Sequence, residues 1–302
     1  MQFDSTRIPL QAIHEPIFEH FGVSLTVLRL DLTHADISGN KWFKLKYNLQ
    51  EAKNKGHNTL LTFGGAFSNH IAATAAAGRE FGFATIGIIR GEEQTVLNHT
   101  LQFALQCGMQ LHYVSRSLYR DKAALYAYVN ENFQQHYPYV IPEGGSNVLG
   151  VKGCMEILNH INISFDVVCC AAGTGATLAG VVHSLKPTQK AIGFQVLKAE
   201  GYIKNEVFNW MKEPELIALQ QSNNPVWQVN ENYHFGGYAR INDSLKVFVD
   251  DFSNKHQLPL DMIYTSKMMF GIYNLVEQGC FKKGAQIVAI HTGGLQGNGI
   301  VC

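Results

Sequence analysis

Gly39-Asn40-Lys41-Trp42-Phe43-Lys44 sets two lysines three residues apart behind a Ser38-Gly39-Asn40 turn that follows an apolar strand. A lysine amine becomes a nucleophile, able to condense with an aldehyde, when it is partly desolvated or lies beside a second cation. Lys44, one helical turn on if a helix begins here, supplies that second charge or holds an anion. Both uses point to a phosphorylated aldehyde. An Asn-Lys dipeptide alone is far more often surface decoration, so the case rests on the rest of the chain.

Ala172-Gly173-Thr174-Gly175-Ala176-Thr177 lies between a strand-like run, Asp166-Val167-Val168-Cys169-Cys170, and a helix-like one, Leu178-Ala179-Gly180-Val181-Val182. Glycines there let backbone N–H groups turn inward, the threonines add hydroxyl donors, and a helix N-terminus adds partial positive charge, which together make an anion cradle. The bland alternative is a tight strand-to-helix turn. No Walker lysine follows, and Leu178 holds the last position of a Gly-x-Gly-x-x-Gly match, so nucleotide signatures are absent. Gly64-Gly65-Ala66-Phe67-Ser68-Asn69-His70 occupies the same kind of place after an earlier strand. Ser68 is there an ordinary N-cap, or Ser68, Asn69 and His70 face a carboxylate at the helix start with Ser68 available for proton transfer. Tyr264 lies in Asp261-Met262-Ile263-Tyr264-Thr265-Ser266-Lys267-Met268, read as a turn, a short extended piece and a helix start, and Tyr238 closes a loop from Tyr233. Each tyrosine is either half-buried packing or a ring that stacks on a planar ligand and presents a hydroxyl. The remaining histidines show no metal spacing, and no metal is expected.

These residues need elements to position them. Short β-rich runs at 59–63, 83–90, 110–114 and 137–141 alternate with helical patterns at 69–81 and 118–133. A second series at 165–172, 190–198, 226–229 and 286–291 alternates with helical patterns at 178–185 and 267–278. The rhythm predicts an α/β chain with two open, mostly parallel twisted sheets flanked by helices, one set inserted in the other. Ligands of such sheets bind beyond the carboxyl ends of the strands, where Gly64-Gly65, Gly144-Gly145, Gly173 with Gly175, and Gly293-Gly294 all fall.

With 302 residues and 46% apolar content the chain can bury a large core, and its 24 basic residues match its 24 acidic ones. Nothing there favours a nucleic acid or an anionic membrane, which leaves a small molecule as the expected partner. Met1-Gln2-Phe3-Asp4-Ser5 lacks the basic start and apolar run of a signal peptide, and no apolar segment reaches membrane-spanning length, so a cytoplasmic location is expected. The six cysteines lack paired spacing and read as reduced core thiols, with Cys302 the exposed exception.

Read together, Ser38-Gly39-Asn40-Lys41-x-x-Lys44, Gly64-Gly65-x-x-Ser68-Asn69-His70, Glu143-Gly144-Gly145-Ser146-Asn147, Gly173-Thr174-Gly175-Ala176-Thr177, Tyr264-Thr265-x-Lys267 and His291-Thr292-Gly293-Gly294 resemble, in order and spacing, a known family. It is the D-cysteine desulfhydrase and aminocyclopropane-carboxylate deaminase group of fold-type-II, tryptophan-synthase-β-like pyridoxal phosphate enzymes. The resemblance implies a large cofactor domain from residues 1–45 and 151–302 with a small α/β domain, 46–150, inserted in it, and a homodimer. It implies that Lys41 bonds the cofactor aldehyde and then acts as the base at the substrate α-carbon. Lys44 and Gly173, Thr174, Gly175, Ala176 and Thr177 would hold the phosphate, and Asn69 the 3-hydroxyl. Ser68, Asn69 and His70 would take the substrate carboxylate, Tyr238 and Tyr264 would line the substrate side with Tyr264 stacked on the ring, and Thr265 and Thr292 would lie near the pyridine nitrogen.

Ring-opening deaminases of this group carry glutamate where this chain has Thr265, and tend to have glutamine in place of His70. The resemblance therefore implies β-elimination from a small amino acid, D-cysteine to pyruvate, ammonia and sulfide, with cyclopropane opening as the alternative. A protein that only stores pyridoxal phosphate is the reading from another class, and it leaves Ser68, Tyr238 and Tyr264 without a use. The chain departs from the family pattern at Phe43, at Gly236-Gly237-Tyr238-Ala239 and at Leu295-Gln296-Gly297, which bears on the substrate more than on the cofactor.

Overall fold

Ten strands form two sheets in the computed structural model, which describes residues 8–93 and 95–296; Gly297, Cys302 and residues 1–5 lie outside the described part. The larger sheet runs in the order β1 (Leu10–Ile13), β2 (Ser24–Leu28), β10 (Gln286–Ile290), β7 (Val167–Ala172), β8 (Lys190–Gln195), β9 (Val226–Asn230). Only the edge strand β1 is antiparallel. The smaller sheet is wholly parallel, in the order β5 (Met109–Val114), β4 (Ala84–Arg90), β3 (Thr59–Gly65), β6 (Tyr139–Ile141).

Parallel strands covered by helices on both faces must be apolar on both, and β7 shows it. Val167, Cys169 and Ala171 join Leu25, Val27, Ile192 and Phe194 in one core, while Val168, Cys170 and Ala172 join Leu28, Ala191, Val288 and Ile290 in another. In the smaller sheet Leu60 and Leu61 likewise enter opposite cores. The helix Asn40–Asn54 approaches the helix Val148–Cys154 so closely that a Cβ on Gly153 would lie 1.8 Å from the Phe43 carbonyl oxygen.

Several sequence-based boundaries move, each for a local reason. Tyr137 adopts φ 43° at the end of a 3₁₀ turn, which delays β6 to Tyr139. The stretch 118–133 splits into Arg116–Arg120 and Lys122–Phe133 because Asp121 is extended and caps the second helix through Ala124 N–H. β8 stops at Gln195, whose amide donates to the Leu197 and Ala199 carbonyls. No extended piece follows Asp261: residues 262–264 are a turn tied to its carboxylate, and the helix Thr265–Glu277 begins directly. Between β2 and Gly39 stand a 3₁₀ turn, Leu30–Leu32, and a loop, so the lysine turn does not follow its strand directly. Among the cysteines described, Cys280 is exposed and the other four are buried.

Candidate active site

Glycine-bearing turns after β6, β7 and β10 meet at the start of the helix Asn40–Asn54, and the helix that follows β3 brings Asn69 and His70 against two of them. Gly39 permits that meeting. It adopts φ 69°, and a Cβ on it would lie 2.0 Å from the Thr292 carbonyl oxygen, which accepts the Asn40 N–H. Lys41 and Lys44 are thereby set about one turn apart at the start of this helix.

The Lys41 ammonium donates to Asn40 Oδ1 at 2.7 Å, and Asn40 Nδ2 donates in turn to Thr177 Oγ1 at 2.8 Å. Lys44, 3% exposed, donates to the Gly144 carbonyl at 2.9 Å and to Thr174 Oγ1 at 3.3 Å, and Ser146 Oγ donates to the same Thr174 oxygen. A cation is thus fixed against the Gly173–Thr177 turn, where the N-terminus of the helix Ala176–His183 adds its partial charge. Burial, with the Lys44 charge next in weight, brings the Lys41 amine down to about 7, while Cys154 and Asp261 oppose the shift. Lys44 is also lowered by burial.

Ser68 is the N-cap of the helix Asn69–Phe81, its Oγ accepting from Ile71 N–H. Asn69 stands against the turn after β10, with Nδ2 2.6 Å from where a Gly294 Cβ would be, and its buried Oδ1 has no partner. The His70 ring points inward. Its Nε2 lies 2.8 Å from Thr62 Oγ1, which gives its one proton to the Ile141 carbonyl, so Nε2 carries the ring proton and donates. Burial, then the charges of Lys41 and Lys44, push its pKa well below the usual range and keep the ring neutral. Neutral His70 with a bare Nδ1 cannot donate a side-chain hydrogen bond to a carboxylate, though the backbone amides of this helix start can.

Tyr264 closes the opposite wall. A Cβ on Gly173 would lie 2.9 Å from its ring, and it meets Tyr238 edge-on with centroids 6.0 Å apart. Burial raises both hydroxyls, which stay protonated. Thr265 is fully buried: its hydroxyl donates to Asp261 Oδ2, and Asp261 N–H donates back to it at 2.9 Å. Thr292 is buried against Asn40.

Sequence reasoning passed over Asn40, Ser146 and Asp261. Asp261 holds three successive backbone amides, Ile263, Tyr264 and Thr265, as well as the Thr265 hydroxyl. An aspartate four residues ahead of a helix start is an available capping signal, but nothing in the sequence says it lies within reach of Gly294 and the Lys41 field.

The amine near neutrality, the buried cation on a threonine-lined turn, the partnerless Asn69 oxygen and the Gly173 that has no room for a Cβ beneath an aromatic ring fit a flat phosphorylated aldehyde. A family model described as "Pyridoxal-phosphate dependent enzyme" matches residues 6–293. A Thermotoga maritima protein named "Putative 1-aminocyclopropane-1-carboxylate deaminase" is 32% identical over 92% of this chain and 91% of its own. The Arabidopsis thaliana protein named "Bifunctional D-cysteine desulfhydrase/1-aminocyclopropane-1-carboxylate deaminase, mitochondrial" is 30% identical over 91% of this chain and 73% of its own. A crystal structure described as that of an ACC deaminase homologue superposes with a TM-score of 0.85 at 28% identity, covering 98% of this chain and 92% of the other.

Proposed function

The chain belongs to the pyridoxal-phosphate-dependent enzymes, in the group that holds aminocyclopropane-carboxylate deaminases and D-cysteine desulfhydrases, and within it we propose β-elimination from a small amino acid, D-cysteine first. The products would be pyruvate, ammonia and sulfide. The observation that carries this reading is the neutral Thr265 hydroxyl, donating a hydrogen bond to Asp261, at the position where the resemblance puts a glutamate in ring-opening members.

In this reading Lys41 holds the cofactor aldehyde, Lys44 with Gly173, Thr174, Gly175, Ala176 and Thr177 holds the phosphate, and Asn69 meets the 3-hydroxyl. Thr265 and Thr292 serve the pyridine side. The bound cofactor withdraws electrons from the α-carbon. The chain's own groups do the rest. An amine near 7 is half unprotonated at neutral pH, so Lys41 can remove the α-proton. The N–H groups at the start of the helix Asn69–Phe81, with the Ser68 hydroxyl, take the substrate carboxylate. Tyr238 and Tyr264, held protonated, supply a proton to the departing sulfur. The Thr265 hydroxyl is uncharged and would give the ring nitrogen no full counter-charge, which suits loss of a good leaving group over carbon–carbon cleavage.

The reading includes a homodimer, checked by light scattering, and a cytoplasmic location; no helix among the described residues is long and apolar enough to cross a membrane. Its test is to incubate the purified protein with D-cysteine, L-cysteine and aminocyclopropane carboxylate and assay sulfide, pyruvate and 2-oxobutyrate. Sulfide and pyruvate from D-cysteine are expected. 2-Oxobutyrate from the cyclopropane without sulfide would overturn it in favour of the deaminase. Loss of the visible Schiff-base absorbance in Lys41→Ala is expected, and its retention would remove Lys41 from the chemistry.

A further inference from the structure

Lys267 is fully buried, three residues into a helix, and makes no ion pair among the described residues. A buried ammonium is costly unless its donors are used. Here they converge on one loop: Lys267 Nζ donates to the His234 carbonyl at 2.9 Å and to the Gly237 carbonyl at 2.7 Å. Those two oxygens already close successive turns of that loop, accepting Gly237 N–H and Arg240 N–H respectively.

The loop needs such a clamp. Phe235 at φ 54° and Ala239 at φ 55° are both left-handed without being glycine, and they flank Gly236 and Gly237 at 94° and 127°. Four of five consecutive residues therefore have positive φ, and two of them, Phe235 and Ala239, lack glycine's freedom to adopt it. The same helix grips the loop a second time, Phe270 meeting the Phe235 ring edge-on at 5.1 Å. The residue that the segment presents is Tyr238, whose ring meets that of Tyr264 edge-on, just ahead of the helix Thr265–Glu277. Tyr264 immediately precedes the helix, and Lys267 lies in its first turn. That element fixes one tyrosine covalently and the other through two carbonyls.

We propose that Lys267 is a positioning residue for the reaction: by holding the His234 and Gly237 carbonyls it keeps the 233–240 loop in its left-handed turns and so sets Tyr238 against Tyr264. The kinetic part rests on the role given to Tyr238 above; the loop part does not.

The test uses the holoenzyme in four forms: wild type, Lys267→Met, Tyr238→Phe and the double variant. Hydrogen exchange without substrate reads the loop. Lys267→Met is expected to speed exchange of the Gly237 and Arg240 amides by about tenfold or more, with the rest of the chain and the cofactor absorbance unchanged. Turnover reads the coupling: Tyr238→Phe should lower kcat by about 100-fold and Lys267→Met by about tenfold, while the double variant should be no slower than Tyr238→Phe alone. Unaltered loop exchange in folded Lys267→Met overturns the proposal, and so does a double variant whose losses multiply. Should the methionine form not fold, Lys267→Gln, which keeps two N–H donors on a shorter chain, carries both readouts with smaller shifts against the same two refuting results. A Tyr238→Phe enzyme with full kcat would overturn the tyrosine's part in the reaction, and the exchange data would still decide for or against the clamp.

Discussion

In the protein stripped of its cofactor, Lys41 should titrate at about 7, far below an ordinary lysine. With its amine brought to about 7 from the usual 10.5, half of it is neutral at pH 7, against about one part in 3,000 for an exposed lysine, a ratio of about 1,500. Desolvation is the larger cause and the Lys44 charge the smaller, so Lys44→Gln should move the midpoint up while leaving it well below 10.5. Trace acetylation with acetic anhydride across pH 5–11, read by mass spectrometry on the Lys41 peptide, measures this directly. Free Nα-acetyl-lysine amide in the same tubes serves as the reference. The expected curve for Lys41 rises through about 7 and then levels, while the free amine is still climbing. A Lys41 curve that tracks the free amine would refute the argument that this cleft desolvates it. A Lys44→Gln midpoint equal to wild type would remove the like-charge contribution. The sign for stability follows: the unfolded chain binds the Lys41 proton more tightly between about 7 and 10.5, so this group makes the cofactor-free fold more stable as pH rises through that window.

Three further outcomes are expected. Thr265→Val removes a hydroxyl that Asp261 Oδ2 and Asp261 N–H both use, and should cost about 1–3 kcal/mol in denaturant unfolding; an unchanged midpoint would show that the pair is not formed. His70 is held neutral in the fold, so the unfolded chain binds more protons below its ordinary pKa of 6.5 and stability falls as pH drops through that value; His70→Gln should flatten that acid limb of the stability curve, and an unaltered limb would count against a buried neutral ring. Gly39→Ala meets both a positive φ and the Thr292 carbonyl, so it should lose cofactor affinity and several degrees of Tm, and wild-type values for both would mean that the two loops do not close on each other as described.

Much of the fold was legible because its cause is local. β7 alternates between two cores at period two, and the helix Asn69–Phe81 starts at a serine cap and ends at a left-handed glycine, Gly82, so both its bounds follow from residue chemistry. Failures came where one side chain rewrites the backbone near it, as Asp121 does in breaking a helical pattern and Asp261 does in replacing an extended piece by a turn. The edge strand β1 had no clear signal: Leu10-Gln11-Ala12-Ile13 is short, and it becomes a strand through antiparallel pairing with β2.

The sequence by itself determined which residues were candidates for chemistry, because a lysine pair, glycine turns and hydroxyl-rich helix starts declare their chemical capacity by type and spacing. Tertiary structure decided which of them act on one another. Only when turns from both sheets closed on the Lys41 helix did burial and Lys44 bring the Lys41 amine near neutrality, and only packing turned the His70 ring inward to Thr62. Asp261 and Lys267 took their parts in the same way, the one behind Thr265 and the other beneath the Tyr238 loop. The physical reason is that desolvation and electrostatic coupling depend on separation in space, and Lys44 and Thr174, far apart along the chain, touch only in the fold.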